Sequence, residues 1–239
     1  MQTDHTFEYP SITPWRKARL LKQAESLLTA QQQIIDRTGN SILYYTLQQD
    51  EQHERFRHYP KGDRIDRTSG AQYFYHCHRE NFDSTEHGHF HCFLRYKHIP
   101  KYIKPARIAD WDKYIDNPMT HIVAIGMNNL GLPIRLFTVN RWVSSEIWYD
   151  AKHAQKLINK YQMTLTDNPY WQVLDQWVNA MIRLFAPQIA WLYTERDKAV
   201  LAHFKTNTNE PVYENKAIEE LSSINIDLNE QIHWIMNAP

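Results

Sequence analysis

Five of the thirteen histidines in this chain, His76, His78, His87, His89 and His91, fall within sixteen consecutive residues, where composition alone would place about one. Around them the residue types alternate. Tyr73, Tyr75 and Cys77 interleave with His76 and His78, and Phe90, Cys92 and Leu94 interleave with His87, His89 and His91. A period of two marks strands, whose successive side chains point to opposite faces. The apolar set belongs toward a core, so the histidines are expected together on the other face. An antiparallel hairpin then sets His76 opposite His91 and His78 opposite His89, or slips by two residues to set His78 opposite His87. Facing Cβ atoms in such a pair lie about 4.5–5.5 Å apart, which lets imidazoles on neighbouring strands converge on one ion.

The chemistry open to this cluster is that of zinc or iron(II). His78-Arg79-Glu80 has the His-x-acid spacing of a facial triad, with His121 as a third ligand from another strand and iron in the open site. Three imidazoles and a water make a zinc site of the hydrolytic or hydratase kind instead. Glu86 or Glu80 is expected as ligand or general base, and Arg95, in phase with the histidines, as a receptor for a substrate carboxylate or phosphate. Phe74 and Phe93 share that phase, which points to a partly enclosed pocket. Set against this, histidines on a sheet face are also ordinary solvated or hydrogen-bonded polar residues. Cys77 and Cys92, expected near each other on the apolar face, read as buried thiols. Asp63, Asp66 and Glu146 have the positions of turn and cap residues. The chain has no GxSxG elbow, P-loop, dinucleotide fingerprint or CxxC pair.

The elements that would carry the cluster follow from periodicity. Thr13-Pro14 starts a helix running to Gly39 on a stripe of Leu20, Leu21, Ala24, Leu27, Leu28, Ile34 and Ile35, and Asn40 caps a shorter helix to Gln49. Tyr59 to Asp63 reads as a turn. Strands are expected at 72–79, 87–95, 120–127 and 132–140, with 97–117 as a crossover lying over the sheet. Helices return after Arg141, on a stripe opening at Ile147, then from Pro169 to Phe185, and around 188–204, 213–222 and 227–237. This is an α+β fold. One domain over 1–239 is expected: a helical segment at 13–52, an antiparallel sheet of four or more strands at 55–142, and a helical cover at 145–239.

Lysine plus arginine equals aspartate plus glutamate at 27 each, so no net field draws the chain toward nucleic acid or an anionic membrane. Neither a signal sequence nor a spanning apolar run is present, which gives a cytoplasmic expectation with no membrane and no nucleic-acid partner. A small-molecule substrate and homo-oligomer formation both remain compatible with the composition.

The blocks AQYFYHCHRE, EHGHFHCFLR, THIVAIGM and LFTVNRWVSSEIWY, with Gly62-Asp63 ahead of them, resemble an uncharacterised bacterial family of unknown function. The resemblance covers roughly residues 55 to 150 and brings no activity with it. The leading reading is a small metalloenzyme whose ion is held by three or four of His76, His78, His87, His89, His91 and His121, with its substrate between the sheet and the helices. A non-catalytic metal carrier or sensor, or a metal-free structural domain, are the rival readings.

Overall fold

The computed structural model describes residues 6–47, 54–77, 85–206 and 212–239. Six strands form one antiparallel sheet in chain order: β1 (Tyr59–Ile65), β2 (Ala71–Cys77), β3 (Gly88–Arg95), β4 (Met119–Met127), β5 (Pro133–Val139) and β6 (Glu220–Asn225). The fold is α+β, with helices before and after the sheet. Tyr73 faces Cys92 and Tyr75 faces Phe90 across β2 and β3. Val123, Ile125 and Leu136 extend that face into β4 and β5 as part of the main hydrophobic core.

Helix α1 (Pro14–Thr38) starts and stops as its sequence predicts. The Thr13 hydroxyl accepts the Arg16 N–H, Pro14 fills the first turn, and Gly39 closes the helix at φ 67°, its N–H bonded to Ile35 O. Leu20, Ala24, Leu27, Ala30 and Ile34 are buried, whereas Leu21, Leu28 and Ile35, placed on the same stripe by spacing, lie exposed. Ser41, not Asn40, caps the short α2 (Ile42–Thr46). The helical stretch expected after Arg141 is two short helices, α3 (Arg141–Ser144), closed by Ser145 in a left-handed conformation at φ 51°, and α4 (Ala151–Ile158), with Ile147 and Trp148 between them. Next come α5 (Pro169–Leu184), α6 (Ala186–Thr206) and α7 (Leu228–Asn237). None of the described helices is long and apolar enough to cross a membrane.

Two strands escape a pattern reading. The Tyr59–Asp63 stretch is β1 rather than a turn, with irregular register against β2 and positive φ at Gly62 (82°) and Asp63 (63°). An edge strand tolerates Pro60 because no partner needs its missing N–H. The 213–222 stretch, expected helical, ends in β6, where Ser222 faces Thr138 and the two hydroxyls bond at 2.7 Å. The 97–117 connection joins neighbouring strands β3 and β4, so it is an excursion and not a crossover; its Ile99 and Ile103 enter the main core. Cys77 faces Gly88 and Cys92 faces Tyr73, so the two buried, free thiols sit several pairs apart.

The helices cover one sheet face. Trp177 of α5 packs on Phe90 at 5.4 Å between ring centroids, and in α6 the Tyr193 hydroxyl donates to Ile122 O while Leu192 O accepts from Ser222. Helix α5 is also tied to β1 by ions. Arg64 bonds Asp175 (2.8 Å) and Asp167 (2.7 Å), and the Tyr73 hydroxyl donates to Asp175 at 2.9 Å. Burial pushes the Asp175 carboxyl above its ordinary range despite Arg64. Arg64→Met therefore leaves a buried carboxylate without its cation and is expected to lower unfolding free energy by about 3–5 kcal/mol. Urea titration checks this, and Arg64→Met with Asp175→Leu should recover most of the loss; a silent single substitution would contradict the role.

Candidate metal centre

The β2–β3 pairing adopts the slipped register. His76 faces His89 and Phe74 faces His91, on the sheet face away from α5 and α6. The Nε2 atoms of His76 and His89 lie 2.9 Å apart. The His76, His89 and His91 ring centroids are separated by 4.7 to 5.1 Å, and one nitrogen from each lies within 4.8 Å of the other two. His89 and His91 are buried and His76 is half-buried. Three imidazoles this close are either hydrogen-bonded to one another or gathered round a cation.

Their outer sides are held. The Glu86 carboxylate lies 2.9 Å from Nδ1 of His89, which turns Nε2 of that ring toward His76. Arg135, on β5, donates to Glu86 and also to Glu220 at the start of β6, and its guanidinium lies 3.9 Å from the Phe137 ring centroid. Burial alone would raise the Glu86 pKa, but the bonds from His89 and Arg135 hold it below the ordinary carboxylate range. Gly126 makes room for this arrangement. A Cβ there would sit 2.7 Å from Glu86 Oε2 and 2.8 Å from Arg135 Cγ.

The other expected residues are spread around this group. His121 is buried beside it, Nε2 lying 3.0 Å from His91 Nδ1. His87 precedes β3 and leaves the alternation: its Nδ1 meets the Tyr75 hydroxyl at 2.7 Å, so it does not join the three. Arg95 is engaged elsewhere, bonding Gln72 (2.8 Å) and Asn117 (2.9 Å). His78 and Glu80 lie outside the described residues. Asp66 caps the Thr68 and Ser69 N–H groups, the turn role its position suggests. Asp63 bonds His58, a residue the sequence did not single out, whose ring stacks on Phe74 at 3.6 Å. Arg135 and Gly126 were missed as well. An arginine within the apolar run Pro133–Val139 was the available signal for the first, and nothing in the sequence marked the second.

A cavity of about 470 Å³ opens onto the three histidines. Phe137, Val139 and Val143 form an apolar wall, and Glu219 and Glu220 stand at its side. The space thus lies on the sheet face opposite α5 and α6, whereas the sequence reading places a substrate between the sheet and its helical cover.

One family matches the chain, described as a domain of unknown function (DUF6969), over residues 21–226. No curated protein and no solved structure matches.

Glu146, fully buried, accepts the His121 backbone N–H (2.9 Å) and the Ser144 hydroxyl (2.8 Å). Desolvation lifts its carboxyl to about 7, against Arg196 and these two bonds. A carboxyl raised on folding adds stability below its unfolded pKa and loses it as pH rises through the folded value. Glu146→Gln removes this titration. The stability of the variant relative to wild type should therefore improve by about 3 kcal/mol between pH 4 and 8. Chemical denaturation across that range tests it, and a pH-independent difference would refute the shift.

Proposed function

The chain belongs to the DUF6969 family, and we propose that it is a metalloprotein in which His76, His89 and His91 hold one transition-metal ion. The observation that supports this is the convergence of three ring nitrogens within 4.8 Å, one of them backed by a carboxylate. A carboxylate on the outer nitrogen of a ligand histidine fixes its tautomer and raises its basicity, and it is a recurrent partner of metal-bound imidazole. Neutral imidazoles as the described donors suit zinc better than the facial triad of an iron oxygenase, whose third ligand is a carboxylate. Glu86, tied to His89 and Arg135, acts in this reading as outer support and not as ligand or base.

The cavity favours an enzyme over a carrier. A carrier encloses its ion, whereas these histidines face a space large enough for a small organic molecule with an apolar portion against Phe137, Val139 and Val143. The ion would supply electrophilic polarisation of a substrate oxygen. Phe137, Val139 and Val143 would hold the apolar portion of the substrate beside the three histidines.

Protein purified without affinity tag or chelator should carry close to one zinc per chain by elemental analysis. His89→Ala should lose it while staying folded, and His153→Ala, a half-exposed α4 residue bonded to Asp150, should keep it. Equal metal content in the two variants, or a wild type that cannot be loaded, rules the reading out. Gly126→Ala tests the outer support separately. The added methyl meets both Glu86 Oε2 and Arg135 Cγ, so the pair must shift off His89 and zinc affinity should fall by about tenfold or more. Competition against a chromophoric chelator measures this, and unchanged affinity would remove Glu86 from the site.

A further inference from the structure

His121 reaches the histidine face only through a defect in the sheet. Cys92 faces Val123, and had the β3–β4 ladder continued regularly, Phe93 would face Ile122 and Leu94 would face His121. Leu94 belongs to the core face, so a regular ladder would bury the His121 ring under the helices. Instead β4 carries a bulge. Phe93 faces His121, the alternation shifts by one, and the ring turns to the opposite face, where it stops 3.0 Å from His91.

A bulge withdraws backbone groups from the ladder, and here buried side chains take them up. The His121 N–H donates to Glu146, which Ser144 holds from its other oxygen. The Ile122 carbonyl accepts from the Tyr193 hydroxyl at 2.7 Å. Glu146 and Tyr193 are both buried, so capping the bulge with them carries a desolvation cost that a regular ladder would avoid. The His121 ring bonds Nδ1 of His91. With Nδ1 engaged by His121, Nε2 is the nitrogen of His91 to assign to the side of His76 and His89.

We infer that His121 is a positioning residue: its Nε2 accepts the Nδ1 proton of His91 and so holds His91 in the tautomer whose Nε2 binds the ion. The inference rests on the metal reading above. It gives His91 an imidazole acceptor where His89 has the Glu86 carboxylate, and it takes His121 out of the ligand set.

Two measurements test it. In metal-free, ¹⁵N-labelled wild type, long-range ¹H–¹⁵N correlation should show His91 protonated on Nδ1 and His121 unprotonated on Nε2; His91 protonated on Nε2 would overturn the inference. This readout needs no bound ion, so it decides the arrangement even if the protein proves unable to hold zinc, an outcome that would sink the metal reading alone. In zinc competition, His121→Phe keeps a ring of similar shape without an acceptor and should weaken binding about 10- to 100-fold. His121→Gln, whose side-chain oxygen accepts a hydrogen bond, should restore most of the affinity. A purely structural ring would give the reverse order, with phenylalanine the better replacement, and that order would overturn the inference too.

Discussion

Each strand of an antiparallel sheet presents its side chains alternately to two faces, and when helices occupy one face every residue is assigned by parity. In this chain α5 and α6 occupy one face, with Trp177 on Phe90 and Tyr193 against the β4 backbone. The tyrosines, cysteine and aliphatic residues of β2 to β5 that pack there leave His76, His89 and His91 no choice but the other side. Their proximity is therefore a by-product of burying their neighbours. Bringing three imidazoles together incurs a desolvation penalty that a polar surface would not, and the burial of one continuous apolar face is large enough to offset it.

Parity alone gathers the rings without orienting them. Orientation comes from beyond the three rings, and from a different source for two of them: Glu86 with Arg135 behind His89, and the bulged β4 behind His91. Each depends on a local departure from regular strand chemistry. Gly126 supplies a missing side chain, and Ile122 an extra residue. Both departures lie on β4, the strand next to the histidine hairpin, which makes β4 the template for the site although it offers no nitrogen to the converging group.

The sequence made the histidine hairpin legible because two patterns coincided there, a period of two and a density of one residue type. The β4–β5 pair was legible for the first of these reasons, and α1 through its Thr13, Pro14 and Gly39 signals. Edge strands β1 and β6 were not. A strand with one neighbour and little burial keeps only part of the hydrophobic alternation, and Pro60, Gly62 and Asp63 carry the composition of a turn. The site was read in outline and missed in its supports. Arg95 shares the histidine phase but finds Gln72 and Asn117, while Arg135 reaches Glu86 from a strand 49 residues away, a distance no local pattern spans. His121 was expected at the cluster as the opening residue of a strand, yet a regular strand would have hidden it; its presence there depends on a bulge that periodicity does not encode.

The spacing of these contacts along the chain sets an order in time. His76 and His89 are 13 residues apart on one hairpin, so they meet by closing a short loop, the fastest kind of tertiary event. Arg135 and Glu220 are 85 residues apart, and their contact waits for the last strand of the sheet. A chain emerging from the ribosome thus exposes its pair of facing imidazoles well before it has made the strand that completes the clamp on Glu86. During that interval the facing pair is already formed without its clamp, so under the metal proposal the ion held by the finished protein would depend on synthesis as well as on equilibrium.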